Sequence, residues 1–224
     1  MATETAHSLP TSEFPTRAAA LVLAVEALVL LAYFGVTANA VTQPRYVLYP
    51  FVWMNVALYA VWRLSPADPP DWARHLADFA GVGYFLLLAF LGGLLAVFGP
   101  DHAHSHIHGL QVTMASPGYG PRVGYVGSWF HVYVVPYRVV GYAALAYLLS
   151  AAIRDASAGS LRAVSGALGV VTCIGCAFPL VASLAGSGGV LAGVAATATA
   201  YPLDVSTAAF LGAVAALSWR PGGA

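Results

Sequence analysis

AAALVLAVEALVLLAYFGVTA, residues Ala18 to Ala38, decides the class of fold. It carries a single charge, Glu26, and as helix it is long enough to cross about 30 Å of hydrocarbon. Lipid offers backbone polar groups no partners, so only helices and closed barrels cross it. Barrel strands alternate in polarity over about ten residues, whereas this run is continuous Ala, Leu and Val. Comparable runs follow at Tyr46 to Arg63, Leu76 to Phe98, Trp129 to Ile153, Leu161 to Leu184 and Tyr201 to Trp219. The pattern predicts an all-α, multi-pass transmembrane bundle of six spans in the cell membrane, with the lipid bilayer as its solvent. Ala185 to Ala200 is too apolar and Gly-rich for a free loop. It lies in the interface or dips back into the membrane, with a seventh span possible, or the last helix starts earlier and is kinked at Pro202.

Composition supports the same class. Hydrophobic residues make up 59% of the chain and charged ones 8%, far below the roughly 25% that covers a soluble surface. The nine basic residues are all Arg and are balanced by nine acidic ones. The chain therefore has no basic face to release counterions, and nucleic-acid partners are excluded. It also lacks Gly-x-x-x-x-Gly-Lys, His-Glu-x-x-His and Gly-x-Ser-x-Gly, so the usual phosphate, zinc-protease and serine-hydrolase chemistries have no motif. A non-enzymatic protein is favoured.

Residues 1–16 are polar, with Glu4, His7 and Glu13, and read as a disordered tail rather than a signal peptide. Residues 17–220 form one transmembrane helical domain. With six spans both ends share a side, and Arg17, Arg63, Arg74, Arg154, Arg162 and Arg220 fall on it, against Arg45 and Arg122 on the other. The positive-inside rule makes both termini cytoplasmic and the segment 99–127 an outer loop. That loop is rich in turn residues, from Gly99-Pro100 to Pro117-Gly118-Tyr119-Gly120-Pro121, and suits a cap or hairpin. Tyr46, Trp53, Tyr59, Trp62, Tyr119, Trp129 and Trp219 include natural interface anchors.

Two motifs carry chemistry. Cys173-Ile174-Gly175-Cys176-Ala177-Phe178-Pro179 lies inside the fifth span. Helical positions three apart share a face, so both thiols can serve one soft metal ion or one dithiol couple. Pro179 can bend the helix and widen access. Packing as small hydrophobes is the alternative. In the outer loop, Asp101-His102-Ala103-His104-Ser105-His106-Ile107-His108 sets a histidine at every other position. Extended chain would line up His102, His104, His106 and His108 on one side for copper or zinc; an expendable solvated tract is the bland reading. His131, near the outer face, extends a path from that tract to Cys176 and Cys173, or is simply an interfacial histidine.

The remaining internal polar residues read as structural. Depth arithmetic sets Glu26 and Arg138 near the midplane, where an isolated charge costs at least about 2.5 kcal/mol. An ion pair between them, with Asn55 at similar depth as a hydrogen-bonding partner, is the economical arrangement. Asp204 reads as the N-cap of the last helix, and Asp78 favours the N-terminus of the third.

The chain resembles a group of uncharacterised integral membrane proteins of halophilic archaea. The resemblance runs through Tyr33-Phe34, Tyr49-Pro50-Phe51-Val52-Trp53-Met54-Asn55, Gly81-Val82-Gly83-Tyr84-Phe85, Val139-Val140-Gly141-Tyr142-Ala143, the Cys173 to Pro179 motif, and Leu203-Asp204-Val205-Ser206-Thr207-Ala208. It implies a six- or seven-span fold and no activity. Cys173 to Leu180 is similar to the cysteine-bearing helix of small mercuric-ion membrane transporters, which implies a thiophilic metal. The leading expectation is thus metal handling, with copper ahead of zinc as the ion, by a transporter component or a metalloenzyme assembly accessory. The alternatives are a structural subunit of a membrane complex, such as a permease-like partner of an ATPase or a respiratory oxidase accessory, and a membrane thiol oxidoreductase.

Overall fold

The structure, a computed structural model, describes residues 16–38, 41, 43–97, 109–113, 121–127, 129–157 and 201–219. Met1–Ala40 and Val41–Ala224 form two compact units. Among its described residues the first contributes one helix, α1 (Thr16–Val36), which buries none of its residues. The Thr37 hydroxyl donates to the Tyr33 carbonyl at 2.7 Å and closes its last turn. The expected tail lies outside the described residues, apart from Thr16, which already belongs to α1.

The second unit runs α2 (Pro44–Arg63), α3 (Asp71–Leu91), β1 (Leu95–Val97), β2 (Gly109–Thr113), β3 (Arg122–Val126), β4 (Phe130–Val134), α4 (Pro136–Ser157) and α5 (Pro202–Ser218). Three helices among the described residues, α1, α3 and α4, are long and apolar enough to cross a membrane. Helix α2 has the length, but Arg45, Asn55, Arg63 and its Tyr and Trp residues dilute its apolar character. Helix α5 is apolar but has 17 residues. The expected span Leu161 to Leu184 and the stretch 185–200 lie outside the described residues. Pro202 opens α5 with Tyr201 at the cap position, so the last helix is not kinked through that proline.

An all-α chain is corrected by a four-stranded antiparallel sheet of order β1-β4-β3-β2. The expected third span ends early: Gly93 adopts a left-handed φ of 73°, open to glycine without strain, and the chain leaves α3 as strand. The expected fourth span begins late, because Phe130–Val134 pairs with both β1 and β3. Hydropathy counts such residues toward a helix, yet their β-branched and aromatic side chains fit a pleated surface better. The hairpin expected in the outer loop is present as the β2–β3 pair.

Helix α4 is the centre of the second unit and packs on α2, α3 and α5. Ala73, Ala77 and Gly81 recur every four residues on the buried side of α3. A Cβ on Gly81 would come within 3.1 Å of the Ala146 carbonyl oxygen, so α3 and α4 approach at backbone distance, the small-residue packing by which membrane helices associate. Meanwhile Leu76, Phe79, Val82, Leu86 and Phe90 of α3 face outward. The largest buried group is aromatic: Trp53 stacks on Phe210 at 4.0 Å, meets Tyr137 and Tyr142 edge-on, and donates its indole N–H to Thr207 at 3.0 Å.

Candidate functional site

The sheet has two unlike faces, because successive residues of a strand point to opposite sides. One face carries Leu95, Val97, Leu110, Val112, Val123, Tyr125, Phe130, Val132 and Val134, all apolar or aromatic. The other carries His131, Tyr133, Gln111, Arg122 and Thr113 among small residues and Val126. On this second face the register aligns Ala96, His131, Val126 and Gly109 in a single cross-strand row. The Tyr133 hydroxyl lies 3.4 Å from Nδ1 of the half-buried His131, with the two rings edge to face. Arg122 stacks over Tyr133 at 4.6 Å, four residues along β3 from Val126 and thus about 14 Å from the His131 row.

That row bears on the four-histidine tract. His102, His104, His106 and His108 lie outside the described residues, in 98–108, which joins the end of β1 to the start of β2. These are the two edge strands, about 14 Å apart across three strand spacings. Both attachment points, Val97 and Gly109, adjoin or belong to the His131 row. An eleven-residue connection can extend on the order of 40 Å, so chain length does not keep the tract from His131. His108 is one peptide bond from Gly109.

The ends of the helices hold the other polar groups. Asp204, in the first turn of α5, accepts hydrogen bonds from the Tyr49 hydroxyl at 2.6 Å and the Tyr46 hydroxyl at 3.0 Å, and pairs with Arg45 at 3.2 Å. It is not the N-cap expected of it: Tyr201 holds that position and the carboxylate reaches across to α2. The Arg45 guanidinium is held above its ordinary range by its hydrogen bond to Tyr46 and, against some desolvation, by the Asp204 charge. Arg138 lies in the first turn of α4 rather than nine residues into a span, because the preceding residues are strand. It donates to the Gly92 carbonyl at 3.2 Å and to the Tyr137 hydroxyl at 3.1 Å, closing the end of α3 as a cation suits a helix C-terminus. Glu26 stands near the middle of α1 in the other unit, and Asn55 is half-buried in α2.

At the opposite ends of α3 and α4, Asp78 pairs with Arg154 and accepts from the Ser150 hydroxyl at 3.3 Å. These residues close one end of an open groove of about 460 Å³ whose walls are Gly81, Val82, Phe85 and Tyr147. Nearby, the fully buried Asp155 accepts from the Ala67 amide at 2.8 Å and ties down the loop between α2 and α3. Sequence reading found Asp78 but not its partner, and missed Asp155. No local spacing signals contacts that distant in the chain.

Cys173 and Cys176 lie outside the described residues. Among the described residues no three His, Cys, Asp or Glu side chains group as a metal site. The described residues are mostly helical, with three helices fit to cross a membrane and a small antiparallel sheet between two of them. That is the class the fold defines. The chain belongs to a family of unknown function, DUF7546, which matches residues 1–224. No curated protein and no solved structure matches it.

Proposed function

We propose that the chain is a multi-pass protein of the cell membrane, with six crossings and both termini in the cytoplasm, that collects a metal ion on its outer side and passes it inward. Copper is the first choice of ion and zinc the second. His102, His104, His106 and His108 capture it together with His131, and Cys173 and Cys176 receive it within the bilayer. Imidazole holds Cu(I) or Zn(II), and thiolate holds both more tightly. The transfer exchanges nitrogen for sulfur ligands without a change of oxidation state. The chain then acts as a transporter component or supplies a metalloenzyme during assembly.

The observation that carries this reading is the register of the sheet. The connection that carries the tract runs from Val97, next to the row that contains His131, to Gly109, which belongs to it, and the Tyr133 hydroxyl lies 3.4 Å from that imidazole. An oriented imidazole is the usual state of a metal-ligating histidine, and loss of such orientation costs about 10–100-fold in affinity. Equilibrium dialysis of the purified chain against zinc tests the proposal. His131→Ala should weaken the outer site about tenfold or more and Tyr133→Phe by less. The Cys173→Ser, Cys176→Ser double variant should bind one ion fewer. Equal affinity and stoichiometry in all four proteins would remove metal handling and leave a structural membrane protein.

A further inference from the structure

The sheet is inside out for water. An antiparallel sheet with one solvated face normally turns its apolar side to the core. Here Val126 on the polar side is 4% exposed, whereas Leu110 and Val112 on the apolar side are 74% and 65% exposed. We propose that this apolar face rests on the outer leaflet of the bilayer, so that the sheet is a lipid-facing platform at the membrane surface. This rests on the membrane reading given above.

Three observations choose lipid as the occupant. First, the sheet is tied closely to the ends of two helices fit to span: Gly92 to Leu94 alone separate α3 from β1, and Val135 alone separates β4 from α4. It therefore sits at the depth where those helices leave the hydrocarbon. Second, its face continues the chemistry of the outward side of α3, with Phe79, Leu86 and Phe90 exposed there and Val97, Phe130 and Val134 exposed on the sheet. One apolar solvent suits both. Third, Tyr125, Trp129 and Phe130 are exposed at this level, and Tyr and Trp concentrate at the headgroup boundary.

The backbone fixes the orientation. Among the described residues strands β1 and β2 are the edges, and unpaired edge N–H and C=O groups are not tolerated in hydrocarbon. The sheet therefore lies along the surface, apolar face down, and does not enter edge first. Its polar face, with His131, Tyr133 and Arg122, is then turned away from lipid, on the side from which an ion arrives.

Spin labelling in phosphatidylcholine and phosphatidylglycerol vesicles tests this. Single labels are placed by Leu110→Cys, Gln111→Cys, Val112→Cys and Thr113→Cys in a Cys173→Ser, Cys176→Ser background, with Val29→Cys in α1 as the membrane reference. Collisions are measured with oxygen, which concentrates in lipid, and with chromium oxalate, which stays in water. The expected result is a period of two along β2: labels at 110 and 112 favour oxygen several-fold over those at 111 and 113. Chromium reaching 110 and 112 while the label at 29 favours oxygen would overturn the platform and leave the membrane reading intact. Chromium reaching 29 as well would overturn both. Protection of 110 and 112 from both reagents would put protein on the face, and spin broadening between molecules would identify that protein as a second copy.

Discussion

Helix α4 and the sheet adjoin in the chain but bury opposite chemistry. Helix α4 is enclosed by three helices and hides Tyr137, Tyr142, Leu145, Leu148 and Ala152 among its neighbours. The sheet hides Gly124 and Val126 on its polar side and leaves seven of the nine apolar residues on the other side exposed, Leu95 and Val132 being half-buried. The helical region is thus held by contacts within the chain, whereas the sheet depends on what lies against it. In lipid, where no hydrophobic drive acts between helices, close packing and interhelical hydrogen bonds are what hold helices together. Accordingly the small residues of α3 face α4 and its large ones face outward.

Substitutions in the two regions should separate sharply when unfolding is followed in one detergent. Trp53→Ala removes a stacked ring, two edge contacts and the bond to Thr207, and should cost about 3–5 kcal/mol. A loss below about 1 kcal/mol would mean that the aromatic cluster does not hold α2, α4 and α5 together. Gly141→Ala places a methyl group 2.5 Å from the Trp53 ring and should cost about 1–3 kcal/mol by overpacking. Asp204→Ala leaves two tyrosine hydroxyls and Arg45 without their acceptor, for about 1–2 kcal/mol. Asp78→Asn, at a carboxylate with half its surface open, should move the unfolding midpoint only slightly. Leu110→Ala, on the open face of the sheet, should stay within about 0.5 kcal/mol in detergent. A large loss there would show that protein rather than lipid covers the face.

Much of the helical region was legible in the sequence. The reading Ala18 to Ala38 falls within two residues of α1 at each end, and Tyr46 to Arg63 and Tyr201 to Trp219 fall on α2 and α5. In α1 the apolar run is continuous and long enough to span a bilayer, so composition alone places it. The strands were not legible, because the apolar segments Leu95–Val97 and Phe130–Val134 run directly into apolar helices. Length and hydropathy do not mark where 3.6-residue periodicity becomes two-residue alternation. Two signals were available: Gly92-Gly93, and the β-branched alternation of Val132-Tyr133-Val134. That error in α4 carried into the depth assigned to Arg138, which belongs to the helix end. The sequence singles out His131, but its alignment with Gly109 and its closeness to Val97 depend on register across four strands, which a single sequence does not display.

Zinc-edge X-ray absorption on the purified, zinc-loaded chain tests the metal proposal most directly. The expected spectrum has a nitrogen shell near 2.0 Å from the imidazoles and a sulfur shell near 2.3 Å from Cys173 and Cys176, the latter vanishing in the double serine variant. A spectrum built from oxygen neighbours alone, unchanged by removal of either set of ligands, would contradict it.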